Sequence, residues 1–151
     1  PLGPFPAFAS YFEALFAFFA RAEAWKLYPE THSTLVALHS QGFRLGVISN
    51  FDSRLFNILA GFDIAQFFYP VVISTRAGAA KPAQGIFSLA LTQGQVEAQE
   101  AMHVGDSYEA DIIGAQTAGL TPVLIDRHAH QREANAYSTI SSLKEVLDIL
   151  A

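Results

Sequence analysis

The stretch His103-Val-Gly-Asp-Ser-Tyr-Glu-Ala-Asp-Ile-Ile-Gly-Ala-Gln-Thr-Ala-Gly119 decides how this chain is read. Residues 101–104 are a short apolar run that suits a buried strand. Beyond them Ala110, Ile113, Ala115 and Ala118 recur at helical spacing, and Gly119 suits the position just after a helix. Between strand and helix lie Asp106 and Asp111, with Ser107 beside them. A strand end that delivers carboxylates above a helix N-terminus suits a hard divalent cation and a phosphate. A plain strand-to-helix turn, with Gly105 for backbone freedom and Asp106 as N-cap, accounts for the same residues. The stretch alone leaves both open.

Working outward, apolar strands alternate with helical patterns. Helices are expected over residues 7–24, 30–40, 54–60, 82–93 and 143–150, and strands over 43–48, 71–74, 102–104 and 122–125. Gly42 and Gly61 read as helix stops, and Asp52 and Ser53 as caps. Pro82 suits a first helical turn, Ser142 and Glu145 form a capping box, and the aromatic run Phe67-Phe68-Tyr69-Pro70 reads as a loop. Such alternation predicts an α/β fold of βαβ units: a parallel sheet with helices on both faces and ligands beyond the carboxyl ends of the strands.

Composition narrows the function classes. The 151 residues, 51% hydrophobic and 13% aromatic, are enough for one domain with a real core. A net charge of −5 carries no basic footprint for nucleic acid or an anionic membrane. The absence of cysteine removes disulfides and thiolate metal sites and fits a reducing, cytoplasmic setting. The opening helix is apolar on more than one face, from Phe5 through Phe19 to Trp25. Glu13, Arg21 and Glu23 interrupt it, so it reads as a buried or docking helix, and self-association through it is expected. The chain starts at Pro1 and its only methionine is Met102, which reads as a processed, trimmed or partial chain.

Three strand ends or following loops carry reactive side chains. Ser49 and Asn50 follow one strand, Lys81 follows another, and Asp106 and Asp111 follow a third. Singly, a Ser-Asn pair is a common turn and a lysine before proline a common solvated charge. Together on one sheet edge they supply a hydroxyl, a cation and two carboxylates, the set phosphoryl transfer needs.

Val47-Ile-Ser-Asn50, Lys81-Pro82 followed by Ile86-Phe87, and Gly105-Asp106-Ser107 with Asp111 resemble motifs II, III and IV of the haloacid dehalogenase-like hydrolases. Ser49-Asn-Phe-Asp-Ser-Arg54 and Gly78-Ala-Ala-Lys-Pro82 are similar to the REG-2-like group of the branch with a helical cap. The match covers residues 25–125. The resemblance implies a Rossmannoid three-layer α/β/α core over residues 29–151, preceded by the remnant of a helical cap over residues 1–28. It also implies a small phosphorylated substrate and a magnesium cofactor. Ser49 would bind the transferring phosphoryl group with Asn50 alongside, and Lys81 would neutralise charge. Asp106 would ligate magnesium and Asp111 would support the metal shell. The family's nucleophile lies in an Asp-x-Asp signature on a central strand, between the Ser49 strand and the Asp106 strand. No Asp-x-Asp occurs here: the aspartates are Asp52, Asp63, Asp106, Asp111, Asp126 and Asp148. The central nucleophile strand is therefore expected to be missing, and the chain alone to be inactive. A non-catalytic binding module is the alternative from another class.

Asp126, His128 and His130 read as a solvated loop ahead of a metal site, because no further ligand accompanies them. His103 reads as a satisfied core residue, and Tyr108 and Glu109 as shaping the site entrance.

Overall fold

The computed structural model describes residues 8–128 and 137–151. The helices are α1 (Phe8–Phe18), α2 (Thr31–Ser40), α3 (Arg54–Gly61), α4 (Ser74–Ala77), α5 (Gln84–Gly94), α6 (Gly114–Thr117) and α7 (Val146–Ile149). The strands are β1 (Leu45–Ser49), β2 (Phe68–Ile73), β3 (Met102–Gly105), β4 (Thr121–Ile125) and β5 (Ser138–Ile140). Every strand pair is parallel, as the βαβ alternation requires.

The strands fall into two blocks, β1–β2 and β3–β4–β5. Among the described residues, no strand pairs with the second edge of β1 or of β3. Burial follows this division. In β4, flanked on both sides, Val123 and Leu124 are 0% and 1% exposed. Val47 and Ile48 of β1 and Val104 of β3 are only half-buried, although their runs are as apolar as those of a doubly covered strand.

Helix α5 closes one face of β1–β2. Its buried Ile86, Phe87 and Ala90 meet Val72 of β2, Ala115 of α6 and Leu120. Helix α2 puts Leu38 on Val123 and Ile140, and Leu35 on Leu59 and Ile64. Burying a side chain such as Phe87 stabilises the fold by about 1.5–3 kcal/mol.

Departures from the expected elements have local causes. Helix α1 stops at Phe18, because the chain folds back and the Trp25 indole N–H donates to the Phe19 carbonyl at 3.2 Å. Of the expected loop Phe67-Phe68-Tyr69-Pro70, the last three residues lie inside β2, since pairing with β1 begins at Leu45 opposite Phe68. Helix α5 starts at Gln84, past Pro82. Ser53 makes no side-chain cap; instead Asp52 Oδ1 accepts the Arg54 N–H at 3.0 Å. The expected C-terminal helix forms as a tight turn over Leu143–Glu145 and then α7, held by the Ser142–Glu145 capping box. Strand β5 was not expected; its three residues pair with β4 and place only Ile140 in the core. Among the described residues, no helix is long and apolar enough to cross a membrane.

Candidate functional site

Strand β1 delivers Ser49 and Asn50 to the carboxyl edge of its sheet. The Asn50 side chain is a brace. Its Nδ2 donates to the Lys81 carbonyl at 2.9 Å, and its Oδ1 accepts the Lys81 N–H at 2.7 Å. One amide thereby satisfies both backbone groups of a loop residue and fixes where the lysine side chain starts. The neighbouring Phe51 carbonyl accepts the hydroxyls of Ser74 at 3.2 Å and Thr75 at 3.4 Å, which ties the β1 loop to the start of α4.

Lys81 Nζ ends on Asp111, 2.6 Å from Oδ1, with side-chain exposures of 13% and 4%. The same oxygen lies 2.9 Å from His103 Nε2, and Oδ2 accepts the Ser107 N–H at 3.0 Å. Burial alone would raise the Asp111 carboxyl. The bonds from His103, Lys81 and the Ser107 amide outweigh that and hold it well below the usual carboxylate range. Asp111 is therefore a charged, nearly saturated acceptor.

The local backbone builds this pocket. The Ser107 carbonyl accepts the N–H of Asp111 at 2.8 Å and of Ile112 at 3.3 Å, so residues 108–113 form a widened, π-helical turn before α6. Such widened turns recur at functional sites, where they re-aim a side chain. Here Asp111 is pressed against Gly105, where any Cβ would overlap the carboxylate. Glycine at position 105 serves close approach rather than turn flexibility.

Ser49 and Asp106 stand at the ends of β1 and β3, and neither side chain is recorded with a partner among the described residues. Asp106 is exposed; the Ser107 hydroxyl, not Asp106, caps the turn by accepting the Ala110 N–H at 3.2 Å. Tyr108 and Glu109 are exposed beside it. No group of three or more His, Cys, Asp or Glu among the described residues could hold a metal by itself. Of the two expected metal residues, Asp106 keeps its carboxylate open, whereas Asp111 is occupied by protein donors. One open hard oxygen donor suits a magnesium ion, which takes one or two carboxylates and completes its shell with waters and phosphate. The Asp126–His128 segment forms a turn, with Asp126 Oδ1 accepting the His128 N–H at 3.3 Å; His130 lies outside the described residues.

Helix α1 meets the loop after β1 through a cation in an aromatic setting. The Arg54 guanidinium pairs with Asp52 at 2.8 Å and lies 3.9 Å from the Phe16 ring centroid and 5.1 Å from that of Phe51. Trp25 meets Phe51 edge-on at 5.9 Å.

His103 is the residue whose place in the site sequence reasoning missed. It is satisfied in the core, as expected, but by the site carboxylate. The available signal was strand alternation: His103 and Gly105 share one face of β3, and Asp111 packs on Gly105.

The chain is 37% identical over 114 residues to haloacid dehalogenase-like hydrolase domain-containing protein 3 of Danio rerio, covering 76% of this chain and 47% of that protein. It is 34% identical over 131 residues to the glyceraldehyde 3-phosphate phosphatase of Methanothermobacter thermautotrophicus, covering 80% of this chain and 58% of that protein. The chain thus spans about half the length of the curated relatives it matches. Its fold superposes on an HAD phosphatase from Thermococcus onnurineus with a TM-score of 0.83 and 30% identity, covering 93% of this chain and 64% of that one. The HAD-hydrolase YfnB of Bacillus subtilis, described as bound to magnesium, aligns with a TM-score of 0.76 and 26% identity over 85% of this chain and 57% of that one. The haloacid dehalogenase-like hydrolase family matches residues 5–119, over the strand ends that carry Ser49 and Asp106 and the loop that carries Lys81, and the chain belongs to that family.

Proposed function

We propose that this chain supplies the phosphoryl-binding part of a phosphatase acting on small phosphorylated metabolites. The observation that carries this is Lys81: a cation fixed at one end by Asn50 and at the other by Asp111, on the edge that also carries Ser49 and Asp106. Ser49 would donate to a phosphoryl oxygen, and Lys81 would offset the charge that gathers as oxygen attacks phosphorus. Asp106 would hold magnesium, which when bound draws charge from the phosphoryl oxygens.

The attacking carboxylate would come from a strand seated between β1 and β3, each of which pairs with a strand on one edge only among the described residues. It would form an aspartyl-phosphate that water then hydrolyses. A cysteine-free composition supports a cytoplasmic setting.

Two measurements test this. Inorganic phosphate titrated into the chain should shift the amide resonances of Ser49 and Lys81, and the shift should disappear in Lys81→Ala. No shift in the wild type would overturn the assignment. Incubated with p-nitrophenyl phosphate and magnesium, the chain alone should release no phosphate; turnover abolished by Asp106→Ala would show that the nucleophile lies within it.

A second property rests on α1. Phe8, Tyr11 and Phe12 are 64%, 66% and 55% exposed, and no residue of the helix is buried. We propose self-association through this face; a monomer in size-exclusion chromatography at high concentration would refute it.

A further inference from the structure

We infer that His103 is a positioning residue for the Lys81 ammonium, acting through Asp111 by fixing which way the carboxylate faces. This deepens the function proposed above and rests on it for the use made of Lys81.

Lys81 Nζ has Asp111 as its recorded partner, so a flexible four-carbon stem is aimed by one carboxylate. That carboxylate is held by donors from three places. Lys81 and His103 share Oδ1, and the Ser107 N–H holds Oδ2. An ionised carboxylate only accepts, so His103 Nε2 carries the hydrogen in the 2.9 Å contact. Without it the carboxylate would keep one fixed donor, the Ser107 amide. Rotation about the broad terminal torsion would then carry the lysine with it.

The packing around His103 serves the aim of its ring. Phe87, 0% exposed, meets it edge-on with centroids 5.2 Å apart and planes at 84°. Phe87 can lie there because position 114 is glycine: a Cβ would fall 2.8 Å from its ring. The histidine is therefore locked by a residue of α5 and a glycine of α6, and it delivers its hydrogen bond into the site.

The test compares His103→Leu, which keeps bulk and loses the donor, with His103→Gln, whose amide nitrogen can reach the position of Nε2. The readouts are the Lys81 side-chain ammonium signal by nitrogen-15 NMR and the dissociation constant for inorganic phosphate. The leucine variant should lose the ordered ammonium signal and bind phosphate about tenfold more weakly, the scale of one lost charged hydrogen bond. The glutamine variant should keep both. A leucine variant that keeps both, or a folded glutamine variant that loses both, overturns the inference. If the leucine variant does not fold, His103→Asn replaces it, because its shorter amide falls short of Asp111. Asparagine failing where glutamine succeeds supports the role, and equal behaviour of the two overturns it. If wild-type chain binds no phosphate, the proposed function fails, while the ammonium signal still decides for or against His103.

Discussion

Replacing Asp111 by asparagine removes one charge and changes no volume, so it isolates the electrostatics of the site. An asparagine oxygen left in the Oδ1 position can still accept from Lys81 and His103, now at 2.6 and 2.9 Å. Its amide nitrogen then faces the Ser107 N–H, donor against donor, across 3.0 Å. Flipping the amide repairs that contact and turns the nitrogen on the lysine. Either way a cation with 13% side-chain exposure loses its counter-ion. Breaking a buried pair from one side costs about 3–5 kcal/mol, against a total stability of about 5–15 kcal/mol. With a urea slope of about 2 kcal/mol/M, the midpoint should fall by about 1.5–2.5 M. Adding Lys81→Met removes the stranded cation, and the double variant should recover part of the loss, because a pair removed whole is often nearly neutral. A midpoint shift for Asp111→Asn below about 0.5 M, on the same slope, would refute the view that Asp111 is the indispensable counter-charge. So would full additivity in the double variant.

Three further outcomes are expected. Gly105→Ala puts a Cβ into the Asp111 carboxylate and should destabilise by about 1–3 kcal/mol or more; an unchanged urea midpoint would show that the loop yields freely. Asn50→Ala removes both bonds to the Lys81 backbone, with a loss of about 1–3 kcal/mol and hydrogen exchange at the Lys81 amide that accelerates ahead of global unfolding. Asp111 and Glu30 both have depressed folded pKa values, Glu30 to about 2 through its hydrogen bond from Arg127. The stability they add is present above their unfolded values of 3.8 and 4.5 and is lost as pH falls through the folded ones. Unfolding free energy measured by urea at stepped pH should therefore drop below about pH 4, less steeply in Asp111→Asn; a flat profile between pH 4 and 2 would contradict both ion pairs.

The site was legible in the sequence as an inventory. Ser49, Lys81, Asp106 and Asp111 each follow an apolar run or a turn signal, which is enough to assign them to one edge of a parallel sheet. Which of them touch was not legible. Lys81 reaches Asp111 across 30 residues, and Asn50 holds Lys81 across 31. Local pattern carries no information over such spans. Asp111 illustrates the difference. Resemblance attached it to the metal shell; the fold adds its partners, Lys81, His103 and the Ser107 amide, which no local pattern names.

By itself the sequence determined the α/β alternation, most helix and strand positions and the set of reactive side chains, because hydrophobic period and turn chemistry are local. Only the tertiary structure decided the strand status of Phe68-Tyr69-Pro70 and of Ser138–Ile140, the pairing of β5 with β4, and the contact of His103 with Asp111. Strand edges and shared acceptors are satisfied by residues distant in the chain. Their identity follows from how β1, β3, α5 and the turn before α6 come together.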